Sequence, residues 1–126
     1  MKNNSLKNKR ILITGINGFV GKALRDRLTS LGAIVFGISK SESFNKQVLD
    51  SNVLDYTAVN KFIKDSKIQI CFHLASESLV EEGQLNPYKT FKVNMEGTLN
   101  ILESARKNKL EKVIIASTSH VYGKNK

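Results

Sequence analysis

The segment that decides the fold reads Thr14-Gly15-Ile16-Asn17-Gly18-Phe19-Val20-Gly21. It joins an apolar run to an amphipathic stretch, and its three glycines recur at every third position. Gly15 permits a tight turn, and Gly18 leaves room for a pyrophosphate at a helix N-terminus, where free N–H groups favour an anion. Gly21 lets the helix pack closely on the strand. This spacing between a strand and a helix predicts a dinucleotide-binding turn.

Strand-like and helical segments alternate along the rest of the chain. The predicted strands cover residues 10–14, 33–39, 47–50, 68–75 and 112–117, and the predicted helices cover residues 20–31, 55–66 and 87–107. Val20, Leu24, Leu28 and Leu31 fall on one face of the first helix, which Gly32 ends. Asp55 is a natural N-cap for the second helix, whose buried side would hold Val59, Phe62 and Ile63.

The third predicted helix is a single one of about five turns. Its apolar residues step by three and four positions: Tyr88, Phe91, Met95, Thr98, Leu102 and Ala105. Alternating strands and helices with right-handed crossovers indicate the α/β class. We therefore predict a Rossmann-like, doubly wound parallel sheet with strand order 3-2-1-4-5.

Composition excludes several functional classes. The formal net charge is +9, yet the basic residues are scattered, and only those between Lys2 and Arg10 cluster, without aromatic neighbours. We expect attraction for anionic cofactors and no nucleic-acid partner. No apolar stretch approaches the ~20 residues of a membrane span, and the single cysteine, Cys71, forms no internal disulfide. We expect a cytoplasmic protein with a solvated basic leader at residues 1–9 and one domain at residues 10–126.

Four motifs in order carry a family resemblance. The glycine turn resembles the fingerprint of extended short-chain dehydrogenases/reductases, and His73-Leu74-Ala75-Ser76 resembles their His-x-Ala-Ala/Gly stretch. Asn94-Met95-Glu96-Gly97-Thr98 resembles their Asn-x-x-Gly-Thr signature, and residues 117–123 resemble their Ser-Ser/Thr-x-x-Val-Tyr-Gly segment. The chain is thus similar, after residue 9, to NAD(P)-dependent nucleotide-sugar epimerases and dehydratases.

The resemblance also implies which residues act in catalysis and which bind the cofactor. It implies a catalytic hydroxyl at Thr118, with Ser117 and Ser119 as alternatives, and a place for Asn94 in a proton relay. No metal-binding spacing occurs in the sequence. The glycine turn and the resemblance together predict these cofactor-binding residues: Gly15, Asn17, Gly18, Phe19, Val20, Gly21, Ser39, Lys40, Asn52, Val53, Leu74, Ala75 and Ser76.

The choice of dinucleotide depends on the end of the second strand. An NAD enzyme usually has an acidic residue there for the ribose 2′-hydroxyl, whereas this chain has Ser39 and Lys40. A hydroxyl and an ammonium suit a 2′-phosphate better, so we predict NAD(P) with a preference for NADP. Asn52 stands where the family has an acid against the adenine amine, and its carbonyl can accept the same hydrogen bond.

The resemblance also implies parts beyond these motifs. The family's general base is a tyrosine that follows the Val121-Tyr122-Gly123 segment and precedes a lysine by four residues, and a C-terminal lobe holds the nucleotide sugar. We therefore interpret Tyr122 as a packing residue and expect the 126 residues to be an incomplete, inactive portion. The helix at residues 87–107 helps to form a homodimer in the family.

Two functions remain open from the sequence. One is the cofactor-binding part of a nucleotide-sugar epimerase or 4,6-dehydratase, and the other is a non-catalytic dinucleotide-sensing module. A sensor would need neither Asn94 nor Thr118, so their presence favours the enzyme.

Overall fold

A computed structural model describes residues 4–41, 43, 45–77, 84–118 and 122–123. Its strands are β1 (Arg10–Thr14), β2 (Ile34–Ser39), β3 (Val48–Asp50), β4 (Ile70–His73) and β5 (Lys112–Ile115). Its helices are α1 (Phe19–Ser30), α2 (Tyr56–Asp65), α3 (Pro87–Phe91) and α4 (Gly97–Lys107). A 3₁₀ turn covers Asn4–Leu6, and a π-helical segment, Lys92–Glu96, joins α3 to α4. The predicted strands are therefore all present, several of them shorter than predicted.

The strands form one parallel sheet with the order β3-β2-β1-β4-β5, which confirms the predicted fold. The central strand β1 pairs with β2 on one side and with β4 on the other. The chain order reverses between β1 and β4. In open α/β sheets, ligands bind beyond the carboxyl ends of the strands at such a reversal. The turn after Thr14 lies at this point.

Two apolar clusters cover the two faces of the sheet. Ile11 and Ile13 of β1 pack with Leu28 of α1 on one face. Leu12, the residue between them, packs on the other face with Val59 of α2 and Ile101 of α4. All three β1 side chains are fully buried, as a central strand covered by helices on both sides requires. The sheet and the helices on its two faces hold the carboxyl ends of β1, β2 and β4 beside one another.

The predicted helix caps are present. Gly32 follows α1 with φ of +84°, a conformation that glycine adopts without strain. The Asp55 carboxylate accepts a hydrogen bond from the Ala58 N–H at 3.0 Å. In α1, however, the expected apolar face is only partly buried: Leu28 is buried and Leu24 half-buried, but Val20 is exposed. Val20 lies in the first turn of α1, where its exposed side chain lines the cavity described below.

The helix predicted for residues 87–107 has the predicted bounds, but it is not α-helical throughout. A π-helical segment occupies its middle, and Gly97 begins α4 so close to the loop after β3 that an added Cβ would lie 2.6 Å from Val53 Cγ2. Small residues therefore face the core together with Val93 and Ile101. The large apolar side chains form an outer stripe that is 40–75% exposed, and it consists of Tyr88, Phe91, Met95, Leu99 and Leu102.

The leader also differs from the expectation of a solvated segment. Leu6 packs against the cluster on the α1 face, and the Asn8 N–H donates to the Gly32 carbonyl at 2.8 Å. Residues 6–8 are thus part of the domain, whereas residues 1–3 lie outside the described residues. Across the described ranges, no helix is both long and apolar enough to cross a membrane.

Candidate functional site

A cavity of about 540 Å³ opens at the carboxyl edge of the sheet, beside the glycine turn. All thirteen residues that the sequence predicts as cofactor-binding line it. Ile38, Ser41, Ser51 and Val93 line it as well and were not predicted. Ser41 and Ser51 come shortly after β2 and β3, so a wider search of strand ends would have found them. Val93 was missed because the predicted apolar face of this helix was the one through Tyr88 and Met95, whereas Val93 lies four residues before the buried Gly97.

The three glycines of the turn meet different constraints. Gly15 has φ of +71°, and a Cβ there would lie 3.1 Å from the Ala75 nitrogen. A Cβ on Gly21 would lie 2.3 Å from the Gly15 oxygen, so close packing requires this glycine. Gly18 has φ of −71° and ψ of 171°, which any residue can adopt, and its Cβ would meet only the Gly15 oxygen at 3.2 Å. Neither the backbone conformation nor core packing demands a glycine at position 18.

The N-terminus of α1 is the part of the cavity that fits a phosphate group. Gly18 is its N-cap and supplies no side-chain hydrogen bond, and the first turn contains no acidic residue. The N–H groups of this first turn therefore have no capping side chain, and the helix dipole favours an anion beside them. The chemistry of these donors matches the pyrophosphate of a dinucleotide.

Polar side chains cluster where β2 ends. Asn17 Nδ2 donates to the hydroxyls of Ser39 and Ser41, at 2.9 and 3.0 Å, and the two hydroxyls are 2.8 Å apart. Lys40, between the serines, extends to Glu77. No carboxylate is among the described residues that line the cavity. This wall therefore consists of hydroxyl, amide and ammonium groups.

A buried hydrogen-bond chain connects β1, β4 and α4 behind the cavity. The Leu74 and Ala75 N–H groups both donate to Thr14 Oγ1, so the Thr14 hydroxyl donates its own proton to His73 Nδ1 at 2.7 Å. His73 Nε2 then donates to Thr98 Oγ1 at 3.1 Å, and the Thr98 hydroxyl donates to the Asn94 carbonyl at 2.6 Å. Every donor and acceptor in the chain is used when His73 is neutral.

Acid is expected to destabilise the protein through His73. Burial lowers the pKa of this histidine from its ordinary value of 6.5. The neutral side chain thus stabilises the fold fully above about pH 6.5, and this contribution is lost as the pH drops below that value, until His73 is protonated in the folded protein as well. Urea unfolding at pH 7.5, 6.5 and 5.5 measures the slope. His73→Asn should unfold more easily at every pH but with a flatter slope, and equal slopes would contradict this role.

The two residues predicted to be catalytic lie near the same edge of the sheet but do not line the cavity. Thr118 is exposed and follows β5 by three residues. Asn94 is half-buried in the π-helical segment, and its side chain holds the loop after β4: Oδ1 accepts from the Glu77 N–H at 2.8 Å, and Nδ2 donates to the Glu77 carbonyl at 3.1 Å. The catalytic roles of both residues remain predictions. Ser117, an alternative to Thr118, is also exposed, and Ser119 lies outside the described residues.

Two tyrosines of the chain, Tyr88 and Tyr122, stand four residues before a lysine, which is the spacing of the family's general base. Tyr88 and Lys92 are both exposed on the outer side of the α3 region, and neither lines the cavity. Tyr122 is 81% exposed, and Lys126 lies outside the described residues. Spacing alone therefore identifies no base at the cavity.

Cys71 and the acidic residues suggest no further chemistry. Burial raises the pKa of the Cys71 thiol to about 12, so it remains protonated and unreactive at neutral pH. Within the described part of the chain, no three His, Cys, Asp or Glu side chains are grouped to hold a metal ion.

The fold, the glycine turn and the cavity at the chain reversal define the class of Rossmann-like domains. Within that class, the chain belongs to the NAD dependent epimerase/dehydratase family, whose model matches residues 11–126. The family assignment confirms the resemblance predicted from the four motifs.

Relatives of known activity and known structure agree with this assignment. The chain is 36% identical to a UDP-N-acetyl-alpha-D-glucosaminuronate decarboxylase of Bacillus cytotoxicus, over 92% of the chain and 38% of the relative. It is 27% identical to a UDP-glucose 4-epimerase of Thermotoga maritima solved with UDP-glucose, with a TM-score of 0.84 over 93% of the chain and 40% of that structure. A UDP-glucose 4-epimerase of Thermus thermophilus in complex with NAD is 26% identical, with a TM-score of 0.79 over 86% of the chain and 37% of that structure. The chain thus spans about two fifths of the length of these relatives.

Proposed function

We propose that this domain binds NAD(P) in the cavity and is the cofactor-binding part of a nucleotide-sugar epimerase or 4,6-dehydratase. The observation that carries the proposal is the uncapped N-terminus of α1, which Gly18 leaves open to the cavity. When bound, the dinucleotide would supply hydride chemistry at its nicotinamide ring. The residues of this chain would hold its pyrophosphate at Gly18 and its adenosine between the ends of β2 and β4. Titration calorimetry with NAD and NADP tests the binding.

An enzymatic origin is better supported than a sensing module. The relatives named above act on or bind UDP-sugars according to their names, and UDP-sugars are therefore the first substrates to test. Asn94 and Thr118 occupy the motif positions to which the resemblance assigns catalytic work. A sensing module remains the second candidate because the cavity alone would serve it. A full-length protein containing this domain that binds cofactor but converts no nucleotide sugar would favour the sensor.

A preference for NADP is the finer part of the proposal. The family description and the Thermus thermophilus structure name NAD. The local chemistry favours a phosphate, because the wall at the end of β2 contains hydroxyl, amide and ammonium groups and the described cavity lining contains no carboxylate. Ser39 and Lys40 are the two groups that we expect to face the 2′-position.

Ser39→Asp is expected to reverse this preference. A carboxylate at position 39 would repel a 2′-phosphate and would accept hydrogen bonds from the ribose hydroxyls of NAD. We expect the ratio of NADP affinity to NAD affinity to fall about tenfold or more. Calorimetry at matched ionic strength measures both affinities. Ser5→Asp adds the same charge to an exposed position before β1 and should leave the ratio unchanged. Tighter binding of NAD than NADP by the unaltered chain would contradict the preference.

A homodimer and a cytoplasmic location are also proposals. A homodimer is supported by the outer stripe of Tyr88, Phe91, Met95, Leu99 and Leu102, since exposed apolar patches often mark protein interfaces. In the family, a homodimer forms through this same helical region. A cytoplasmic location is supported by the single, buried cysteine.

A further inference from the structure

An ion pair joins the two walls of the cavity. Lys40, directly after β2, and Ser76, after β4, both line the cavity, and Glu77 follows Ser76. Lys40 Nζ lies 2.9 Å from Glu77 Oε1. Because β2 and β4 flank β1 on opposite sides, this contact passes from one side of the glycine turn to the other. The ammonium predicted to select NADP is therefore engaged by a carboxylate from the opposite wall.

Glu77 is held firmly in this position. The side-chain amide of Asn94 accepts a hydrogen bond from the Glu77 N–H at 2.8 Å and donates one to the Glu77 carbonyl at 3.1 Å. Its side chain is only 13% exposed, and Lys89 of α3 adds a second ammonium at 3.8 Å from the same oxygen. The hydrogen bond from Lys40 lowers the pKa of the Glu77 carboxyl below its ordinary value. The group is consequently ionised at neutral pH and fixed by contacts independent of Lys40.

Lys40, by contrast, is held by little else. Its side chain is 61% exposed, and exposed ion pairs contribute little to stability. Lys40 can therefore leave the pair at little cost to itself, while Lys89 stays beside the largely buried Glu77 carboxylate. What it changes is the charge at the cavity wall: while it is formed, the carboxylate offsets the ammonium that a 2′-phosphate would contact.

We propose that Glu77 is a specificity-determining residue that restrains the binding of NADP relative to NAD by holding Lys40 across the mouth of the cavity. The inference rests on the proposed function, in which the cavity binds a dinucleotide. A 2′-phosphate must compete with the Glu77 carboxylate for the Lys40 ammonium and is also repelled by it. The ribose 2′-hydroxyl of NAD carries no charge and meets neither cost.

The test is the ratio of NADP affinity to NAD affinity, measured by calorimetry in the unaltered chain and in Glu77→Gln. Glutamine keeps the size of the side chain and removes its charge, so we expect the ratio to rise roughly three- to tenfold at low ionic strength and less at high salt. Glu103→Gln is the matched control, because it removes a carboxylate paired with Arg106 on the outer side of α4 and changes the net charge equally. The control should leave the ratio unchanged.

A double variant tests whether Glu77 acts through Lys40. In a Lys40→Met background, Glu77→Gln should shift the ratio by less than in the unaltered chain, because only direct repulsion of the phosphate is left. An equal shift in both backgrounds, or an unchanged ratio in Glu77→Gln, would overturn the inference while leaving the proposed function intact. Failure of the unaltered chain to bind either dinucleotide would overturn both. Circular dichroism of each variant establishes that it is folded.

Discussion

Gly18→Val is expected to weaken the binding of NAD and NADP by roughly 100-fold or more. Hydrogen bonds to charged groups contribute about 1.5–3 kcal/mol each, and about 1.4 kcal/mol corresponds to a tenfold change in affinity. The valine side chain would stand at the N-terminus of α1, where it would keep a pyrophosphate from the free N–H groups. Loss of two such hydrogen bonds is enough to produce the expected change. Calorimetry with both dinucleotides measures it.

The same substitution should leave the fold largely intact. Gly18 has φ of −71° and ψ of 171°, which valine adopts readily, and a Cβ would meet only the Gly15 oxygen at 3.2 Å. We expect the free energy of unfolding to fall by about 1 kcal/mol, mainly because valine is a poor N-cap.

Gly21→Ala, by contrast, should affect the fold itself. Its Cβ would lie 2.3 Å from the Gly15 oxygen, so overpacking should lower the free energy of unfolding by about 1–3 kcal/mol.

The two variants separate binding from folding. If Gly18→Val bound both dinucleotides with unchanged affinity, the cavity beside α1 would not be the pyrophosphate site, and the proposed function would fail with it. If Gly18→Val unfolded, the glycine at position 18 would be required for folding instead. Thermal unfolding of both variants, recorded beside the calorimetry, distinguishes these outcomes.

The sequence predicted the sheet and the position of the cavity because both depend on short-range patterns. Apolar runs such as Ile11 to Ile13 indicate buried parallel strands, and their alternation with helices under right-handed crossovers indicates a doubly wound sheet, for which the order 3-2-1-4-5 was predicted. Once the order is known, the residues after each strand must meet at one edge. The predicted lining residues therefore came together in one cavity although they are far apart in the chain.

The features that the sequence did not predict depend on contacts between distant residues. The π-helical segment contains Asn94, whose side chain pairs with the backbone of Glu77, seventeen residues earlier. Periodicity within residues 87–107 cannot detect such a contact, so the helix was predicted as continuous. Spacing grouped Tyr88, Phe91, Met95, Thr98, Leu102 and Ala105 on one face, but it does not distinguish a face toward the core from one toward solvent. In the structure Ala105 is buried, whereas Tyr88, Phe91, Met95 and Leu102 join Leu99 in the exposed stripe. The pairing of Lys40 with Glu77 was not predicted either, because the two residues lie far apart in the chain.

These 126 residues by themselves are expected to bind cofactor but to convert no nucleotide sugar. In the family that the four motifs resemble, a tyrosine removes a proton from a sugar hydroxyl in step with hydride transfer, and a lysine four residues later lowers its pKa. Tyr88 is exposed on the outer side of the molecule, and Tyr122 is 81% exposed and does not line the cavity. A tyrosine with an ordinary pKa of about 10 is a poor base at neutral pH. Thr118 and Asn94 can orient groups but cannot accept that proton at useful rates.

The expected deficit is large enough to measure clearly. Loss of a general base typically costs about 10²–10⁴-fold in rate, and poor positioning of the substrate adds to that cost. The chain spans only about two fifths of the length of its relatives. The assay incubates the pure chain with NAD or NADP and with UDP-, GDP-, CDP- and dTDP-sugars, beside a full-length UDP-glucose 4-epimerase as positive control. Turnover well above that of Thr118→Ala would show that a residue within these 126, Tyr122 first among them, supplies the base. Turnover equal to that variant, with cofactor binding intact, is the result that we expect, because the described lining of the cavity contains no histidine, carboxylate or tyrosine to accept a proton.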